Sequence, residues 1–229
     1  MLRLTLVLLA ASALAVVRAQ EAAGPGLFGR VEGRNYVSPT GQFKVAIPVL
    51  PELGGDITDT PNVVTFQDDF NVHVSIAAFT QDATQRWELS TRGTKDYLIY
   101  FFSNFVLSDF KQTFEGVQIE SAKFLPGTME GALLTYITIP GGTMFGDRVP
   151  QIGGSVRIPV AKRGNLLFVR NGHIFVVSTE LAERVIEGKS YSKTTEEEDE
   201  LLRARLTDLV SKIQFTKTAS APAKDAAKK

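Results

Sequence analysis

Two histidines, His73 and His173, are the only imidazole groups in the chain and the first candidates for metal binding or general base catalysis. Each lies in or beside a predicted strand. Neither has a neighbouring His, Asp or Glu at the spacing expected for metal ligands on one element. A structural role is therefore favoured for both, and we predict no catalytic residue, no metal ligand and no cofactor.

Other motifs that could carry chemistry are incomplete. No Gly-x-Ser-x-Gly sequence marks a nucleophilic serine, and the chain has no cysteine to supply a thiolate. The segment Glu187–Ser190 resembles the end of a phosphate-binding loop, but the glycine that such a loop requires would fall at Glu183. The segment Asp68–Asn71 has the residue types of a cation site without the spacing of a calcium loop, and such clusters commonly form turns.

The glycine-rich segment Pro140–Gly154 is the strongest candidate for binding. It has no helical or strand periodicity, and loops of this length are uncommon unless they are functional or disordered. Phe145, Asp147 and Arg148 give it one apolar group and both charges, so we take these three residues as a possible partner-binding loop. The alternative is a solvent loop with no role in binding.

The elements that must position these residues are mostly strands. Pro39 and Gly41 predict a turn, from which a strand with apolar residues at alternate positions departs. Turns are also predicted at Arg163-Gly164 and Asn171-Gly172. The remaining predicted strands are Val63–Phe66, Val72–Phe79, Val117–Leu125, Ala132–Ile139, Ser155–Ala161, Asn165–Val169 and Ile174–Ser178.

Two amphipathic helices complete the pattern. The first is predicted over Lys95–Phe110 with Thr94 as its N-cap, and the second begins with a capping box formed by Thr195 and Glu198. The order of strands, helix, strands and helix predicts an α+β fold, a central antiparallel sheet with helices packed on it. The predicted apolar faces are Leu98, Phe101, Phe102, Phe105 and Val106 in the first helix and Leu202, Leu206, Leu209, Val210 and Ile213 in the second.

The first residues have the features of a secretory signal peptide. Arg3 precedes an apolar run, Leu4–Val17, and Val17-Arg18-Ala19 supplies the small residues that a signal peptidase requires. We expect cleavage after Ala19, with Ala13-Leu14-Ala15 as the second choice and an uncleaved membrane anchor as the alternative. The expected organisation is a signal peptide over 1–19, a flexible lead over 20–34, one α+β domain over 35–216 and a disordered Ala/Lys tail over 217–229.

Composition narrows the function classes. Lys and Arg together number 25, as do Asp and Glu, but several basic residues lie in the signal peptide and the tail, so the body is net acidic. That balance argues against nucleic acid as a partner, because nucleic acid binding needs a basic face. The absence of cysteine excludes disulfides and a lipidated N-terminal cysteine. A secreted domain of this size without disulfides is more typical of a bacterial envelope than of a eukaryotic extracellular space.

Three stretches together resemble the PsbP-like family, the extrinsic photosystem II subunit and its secreted bacterial relatives. They are Ser38–Pro48, Leu166–Val177 and the closing Lys212–Phe215. The resemblance covers roughly residues 35–216. It implies an α/β/α sandwich around a central antiparallel sheet and, usually, a non-catalytic binding or assembly role. No functional residue of that family is matched here, and the resemblance does not account for Pro140–Gly154.

The first functional hypothesis is a secreted or periplasmic non-catalytic module that binds an envelope protein or a small ligand and keeps no stable membrane anchor after cleavage. The second is an envelope hydrolase with a site near residues 140–154 and one histidine. The third is a carrier of an apolar small ligand near Phe101, Phe102 and Phe105. A histidine with acidic neighbours in a cleft would favour the hydrolase, and a large closed apolar cavity would favour the carrier.

We predict that the exported protein begins at Gln20. N-terminal sequencing of material from the envelope or the medium checks this, because cleavage after Ala19 leaves Gln20 as the first residue. Recovery of intact Met1 in a membrane pellet would contradict processing and favour the anchor.

Overall fold

Antiparallel pairing builds both sheets of the computed structural model, which describes residues 26–143 and 160–216. Within these residues, a seven-stranded sheet has the strand order β4-β5-β6-β10-β9-β8-β7, and a four-stranded sheet has the order β1-β2-β3-β11. The strands are β1 Arg30–Glu32, β2 Asn35–Val37, β3 Phe43–Ala46, β4 Asp56–Asp59, β5 Val63–Gln67, β6 His73–Thr80, β7 Gln118–Leu125, β8 Ala132–Pro140, β9 Val160–Arg170, β10 His173–Glu180 and β11 Ile213–Phe215.

Helices cover both faces of the large sheet. One face packs against α1 (Ala83–Phe101) through Tyr97, Leu98 and Phe101, and the other packs against α4 (Thr195–Ser211) and the small sheet. The fold predicted from the sequence, an α+β protein with helices on a central antiparallel sheet, is therefore confirmed. The helices are α1 Ala83–Phe101, α2 Leu107–Thr113, α3 Glu183–Ile186 and α4 Thr195–Ser211, with a π-helical turn over Phe102–Val106 and 3₁₀ turns over Pro51–Leu53 and Gly188–Ser190.

The observed strand β9 shows that one predicted turn is wrong. Arg163-Gly164 is not a turn: β9 runs without interruption from Val160 to Arg170, and Gly164 pairs with Tyr136 on one side and Thr179 on the other. A Cβ at position 164 would lie 3.0 Å from Leu206 Cδ1, so the glycine lets α4 approach the sheet closely. Asn171-Gly172 does form the predicted hairpin turn, with φ of 49° and 75°. Residues 155–159 of the strand predicted over Ser155–Ala161 lie outside the described residues.

The predicted helix over Lys95–Phe110 differs from the structure in three ways. It begins earlier, at Ala83, where the Asp82 side chain accepts a hydrogen bond from the Gln85 backbone N–H. Gly93 interrupts it with φ of 76°, just before the predicted cap Thr94, so the prediction found only the second segment. The π-helical turn then changes the rotation of the chain, and Phe105 is 46% exposed instead of facing the sheet.

The cap of α4 and the beginning of the domain also differ from expectation. The capping box uses Thr194 and Glu197, one residue before the predicted pair Thr195 and Glu198. Glu198 is instead 2% exposed and faces the protein interior. The segment predicted as a flexible lead, 20–34, contains β1, which pairs with β2. The tail over 217–229 lies outside the described residues.

We expect Leu206→Ala to lower the free energy of unfolding by ~2–5 kcal/mol, the usual cost of truncating a buried leucine. Leu206 is 1% exposed and contacts the strand at Gly164. The matched control is Arg203→Ala on the same helix, whose side chain is 51% exposed, and it should cost under ~0.5 kcal/mol. Denaturant unfolding measures both, and equal midpoints would show that the wrong face of α4 has been assigned to the core.

Candidate binding groove

The two histidines lie at different places in the fold. His173 begins β10 and is 7% exposed; its Nε2 lies 3.3 Å from Gln42 Nε2 and its Nδ1 lies 2.9 Å from the Asn171 carbonyl oxygen. His73 begins β6, with Nδ1 3.4 Å from Glu180 Oε2. The structure therefore does not combine them into one site. Among the described residues, no group of three or more His, Cys, Asp or Glu side chains could hold a metal ion.

His73 belongs to a buried polar cluster that crosses three neighbouring strands, β6, β10 and β9. Arg163 Nη2 donates to Glu180 Oε2 at 3.1 Å, and the Thr143 hydroxyl donates to Glu180 Oε1. Burial lowers the pKa of His73 more than Glu180 raises it, and Arg163 lowers it further. Burial alone would raise the pKa of Glu180, but His73, Arg163 and Thr143 together lower it.

This cluster meets one half of the criterion for the hydrolase hypothesis. A histidine does have an acidic neighbour, but the two side chains are only 6% and 0% exposed, so they do not line an open cleft. No local pattern indicated the pair, because Glu180 is far from His73 in the chain and is brought opposite it by the pairing of β6 with β10. The arrangement fits a buried structural pair better than a general base, which must reach its substrate.

The remaining candidates from the sequence are settled only in part. Phe145, Asp147 and Arg148, the possible partner-binding loop, lie outside the described residues. Asp68 forms the turn that its neighbours predicted: its Oδ1 accepts backbone hydrogen bonds from Phe70, Asn71 and Val72, each at 2.9 Å.

A groove beside α4 is a concavity with room for a ligand. It encloses about 390 Å³ and is open to solvent on one side. One wall is the last two turns of α4, the opposite wall is the end of β3, and the beginning of β6 closes the base. The lining residues are Ala46, Ile47, Pro48, Asn71, Val72, Val74, Thr179, Arg205, Asp208, Leu209 and Lys212.

Ion pairs balance the charges of this groove. Lys212 Nζ lies 2.6 Å from Asp208 Oδ2, and the Arg205 guanidinium binds Glu183 of α3 through both of its terminal nitrogens. Each groove cation thus has an acidic partner. The exposed lining is more apolar than polar, so apolar contact rather than a net charge dominates what the groove offers to a ligand.

A second network holds α4 against the sheet. Arg184 binds Glu198 through two hydrogen bonds of 2.6 and 2.7 Å, and the Tyr191 hydroxyl donates to the same carboxylate. Lys162 Nζ of β9 lies 3.1 Å from Glu198 Oε2 and 2.6 Å from Asp199 Oδ1. These contacts fix the N-terminal turn of α4, and the helix then extends to the groove at its other end.

Sequence reasoning missed the groove as a site. Its apolar residues were predicted as parts of strand and helix faces, and its charged residues were ordinary for an exposed helix face. One signal was present: Arg205, Asp208 and Lys212 recur at spacings of three and four, which places them on one side of α4. What the sequence could not show is that this side of α4 lies beside the end of β3 and the beginning of β6.

Comparison with known proteins gives structural matches alone. No protein-family model matches the sequence, and neither does any curated protein. The solution structure of cyanobacterial PsbP from Synechocystis sp. PCC 6803 matches with a TM-score of 0.46 and 13% identity, covering 82% of this chain and 98% of that one. The PsbP-like family that the sequence resembles is thus among the structural matches.

Two further matches have other origins. The Ran-binding protein Mog1p of Saccharomyces cerevisiae has a TM-score of 0.43 and 8% identity, covering 81% of this chain and 96% of that one. A crystal structure from Bacteroides thetaiotaomicron VPI-5482 has a TM-score of 0.40 and 11% identity, covering 81% of this chain and 49% of that one, so the chain spans about half of that protein. At these identities the likeness is one of fold and carries no information on activity.

In the part of this chain that the structure describes, no helix is long and apolar enough to cross a membrane.

We expect the stability of the protein to decrease between pH 7 and pH 5 partly through His73. Because its pKa is lowered in the folded state, below about pH 6.5 the unfolded chain binds a proton that the folded chain does not. His73→Gln should make the decline shallower, by at most about 1.4 kcal/mol per pH unit. Urea unfolding across this range measures it. His173 is present in both proteins, so it cancels, and parallel curves for the two would contradict the neutral, buried state of His73.

Proposed function

We propose that the protein is an exported, non-catalytic binding module that holds an apolar segment of a partner protein in the groove beside α4. The observation that carries the proposal is the groove itself: an open concavity of about 390 Å³ with an apolar base. Its volume lies within the range of natural ligand sites, which is roughly 300–1,000 Å³.

The groove suits binding better than catalysis. Arg205 and Lys212 are each held by a carboxylate, and among the described lining residues there is no histidine, the side chain that most often serves as a general base near neutral pH. The polar groups present, such as Asn71 and Lys212, can orient a bound segment at the rim.

A protein segment suits the groove better than an enclosed small molecule. The groove is open on one side, whereas carriers of apolar ligands bury most of the ligand surface. Next to Pro48 at its rim, the chain continues into two exposed leucines, Leu50 at 42% and Leu53 at 40%. Apolar surface that extends beyond a groove is typical of contact with another protein.

The proposed location, secreted or periplasmic in a bacterial envelope, depends on the N-terminal sequence. Arg3, the apolar run Leu4–Val17 and the residues before Gln20 are the supporting features. The lack of cysteine agrees with an envelope protein that folds without disulfides. The partner is therefore sought among envelope proteins.

We expect Ala46→Trp to block the groove without unfolding the protein, since Ala46 is exposed and its side chain lines the groove. The matched control is Ala83→Trp, an exposed alanine at the first turn of α1 on the other side of the large sheet. The first readout is the fluorescence of anilinonaphthalene sulfonate, a probe of exposed apolar surface. The variant in the groove should lose most of the bound-probe signal, and the control should keep it.

The second readout is the partner. A protein identified by cross-linking in the envelope should bind the purified wild type and Ala83→Trp but not Ala46→Trp. Equal binding to all three proteins would refute the groove as the binding surface. Capture of a single small apolar compound in place of a protein would favour the carrier hypothesis, and turnover of an envelope substrate by the wild type would favour the hydrolase.

A further inference from the structure

The strand β7 is an exposed edge of the large sheet. Within the described residues it pairs with β8 alone, and it is eight residues long. Residues 118–123 are all exposed, with Ile119 at 45%. An edge strand presents unpaired backbone N–H and C=O groups that can accept another strand, so a long exposed edge is a natural surface for association.

A β-bulge determines which side chains of β7 share a face. Ile119 pairs with Ile137 and Ser121 pairs with Tyr136, so Glu120 has no residue opposite it. Ser121 and Lys123 lie opposite Tyr136 and Leu134, which face α4. Ile119, Ala122 and Phe124 lie on the face of α1. Glu120 reaches the α4 side, where its Oε2 is 2.7 Å from Lys162 Nζ.

We infer that two copies of this protein associate by pairing their β7 strands antiparallel about a two-fold axis at Ala122, which joins the two large sheets into one. In this register Ala122 meets the partner's Ala122, Ser121 meets the partner's Lys123, and Ile119 meets the partner's Phe124. Each pair consists of residues from the same face, as antiparallel pairing requires. The bulge is what makes this possible, because without the extra residue Ile119 and Phe124 would lie on opposite faces.

A charge contact and an apolar contact argue for a second copy of the chain as the partner of this strand. Glu120, whose side chain is 26% exposed and also binds Lys162, comes beside the partner's Lys123 on the α4 side, and the two-fold axis repeats this arrangement. On a free edge, a lysine discourages arbitrary strands from pairing, whereas in this register it meets an acidic side chain. The contact Ile119–Phe124 also covers apolar surface that is exposed in the monomer. A single strand pair is a small interface, so the dimer should be weak, and the dimeric fraction should rise with protein concentration.

A cysteine cross-link tests the register directly, since the natural chain has no cysteine. In the proposed dimer the two Ala122 Cα atoms face each other at a distance that a disulfide can bridge, about 4.5–5.5 Å in antiparallel pairs. The purified full chain carrying Ala122→Cys should form a disulfide-linked dimer severalfold faster under mild oxidation than one carrying Gln118→Cys. Gln118 is also exposed but lies opposite the partner's Leu125 in this register.

Charge substitutions test the same contact without a covalent cross-link. Sedimentation across a range of protein concentrations should show a wild-type dimer. Lys123→Glu should raise its dissociation constant by about tenfold or more, because the new carboxylate then lies beside the partner's Glu120. Adding Ser121→Lys to that variant places opposite charges at the cross-strand pair and should restore the dimer. Thermal unfolding of each variant confirms that the monomer still folds.

The inference is overturned if the wild type is monomeric at every concentration and Ala122→Cys links no faster than Gln118→Cys. It is also overturned if dimers form but neither Lys123→Glu nor the cross-link position affects them, since another surface would then hold the copies together. The outcome is independent of the groove, which lies at the other side of α4.

Discussion

The arrangement of the layers depends on the ion pairs that the buried ammonium group of Lys162 makes. Its side chain is fully buried, and its Nζ lies within 3.1 Å of carboxylate oxygens of Glu120, Glu198 and Asp199. Burial alone would lower the pKa of Lys162, but these three carboxylates outweigh burial and raise it, so the group stays charged. A buried charge must be paired, and these partners come from β7 and from the N-terminal turn of α4. One lysine of β9 thereby fixes both an edge strand and a helix.

The close contact between α4 and the sheet follows from the same region of β9. Gly164 comes two residues after Lys162 and leaves room for Leu206, while the Tyr136 hydroxyl donates to the Asp199 carbonyl oxygen at 2.7 Å. The N-terminal turn of the helix is therefore held by charge, and Leu206 in its second half is held by close packing. The last two turns also line the groove, together with the end of β3 and the beginning of β6. The contacts that hold the helix on the sheet therefore also support one wall of the groove.

Much of the fold followed from the sequence because local patterns and tertiary packing agree there. The alternation in Phe43–Ala46, the turn at Asn171-Gly172 and the apolar stripe of α4 each indicated the observed structure. The failures were at places where distant residues decide. Gly164 suggested a turn locally, but it is a glycine because α4 approaches it, and the pairing of His73 with Glu180 exists only after β6 and β10 align. The groove was beyond sequence reasoning for the same reason, since it is a space between elements rather than a pattern within one.

The pairing at the end of β8 has a practical consequence. Pro140, the last residue of β8, pairs with Val160, the first residue of β9, so the chain leaves the sheet and returns to it at the same point. The segment between them can be lengthened at little entropic cost, because doubling a loop adds only about 0.6 kcal/mol to its closure. The strands on either side keep their register through their own pairing down to Ala132 and Phe168. This junction is therefore a suitable place to insert a fluorescent domain or an affinity epitope without altering the sheet.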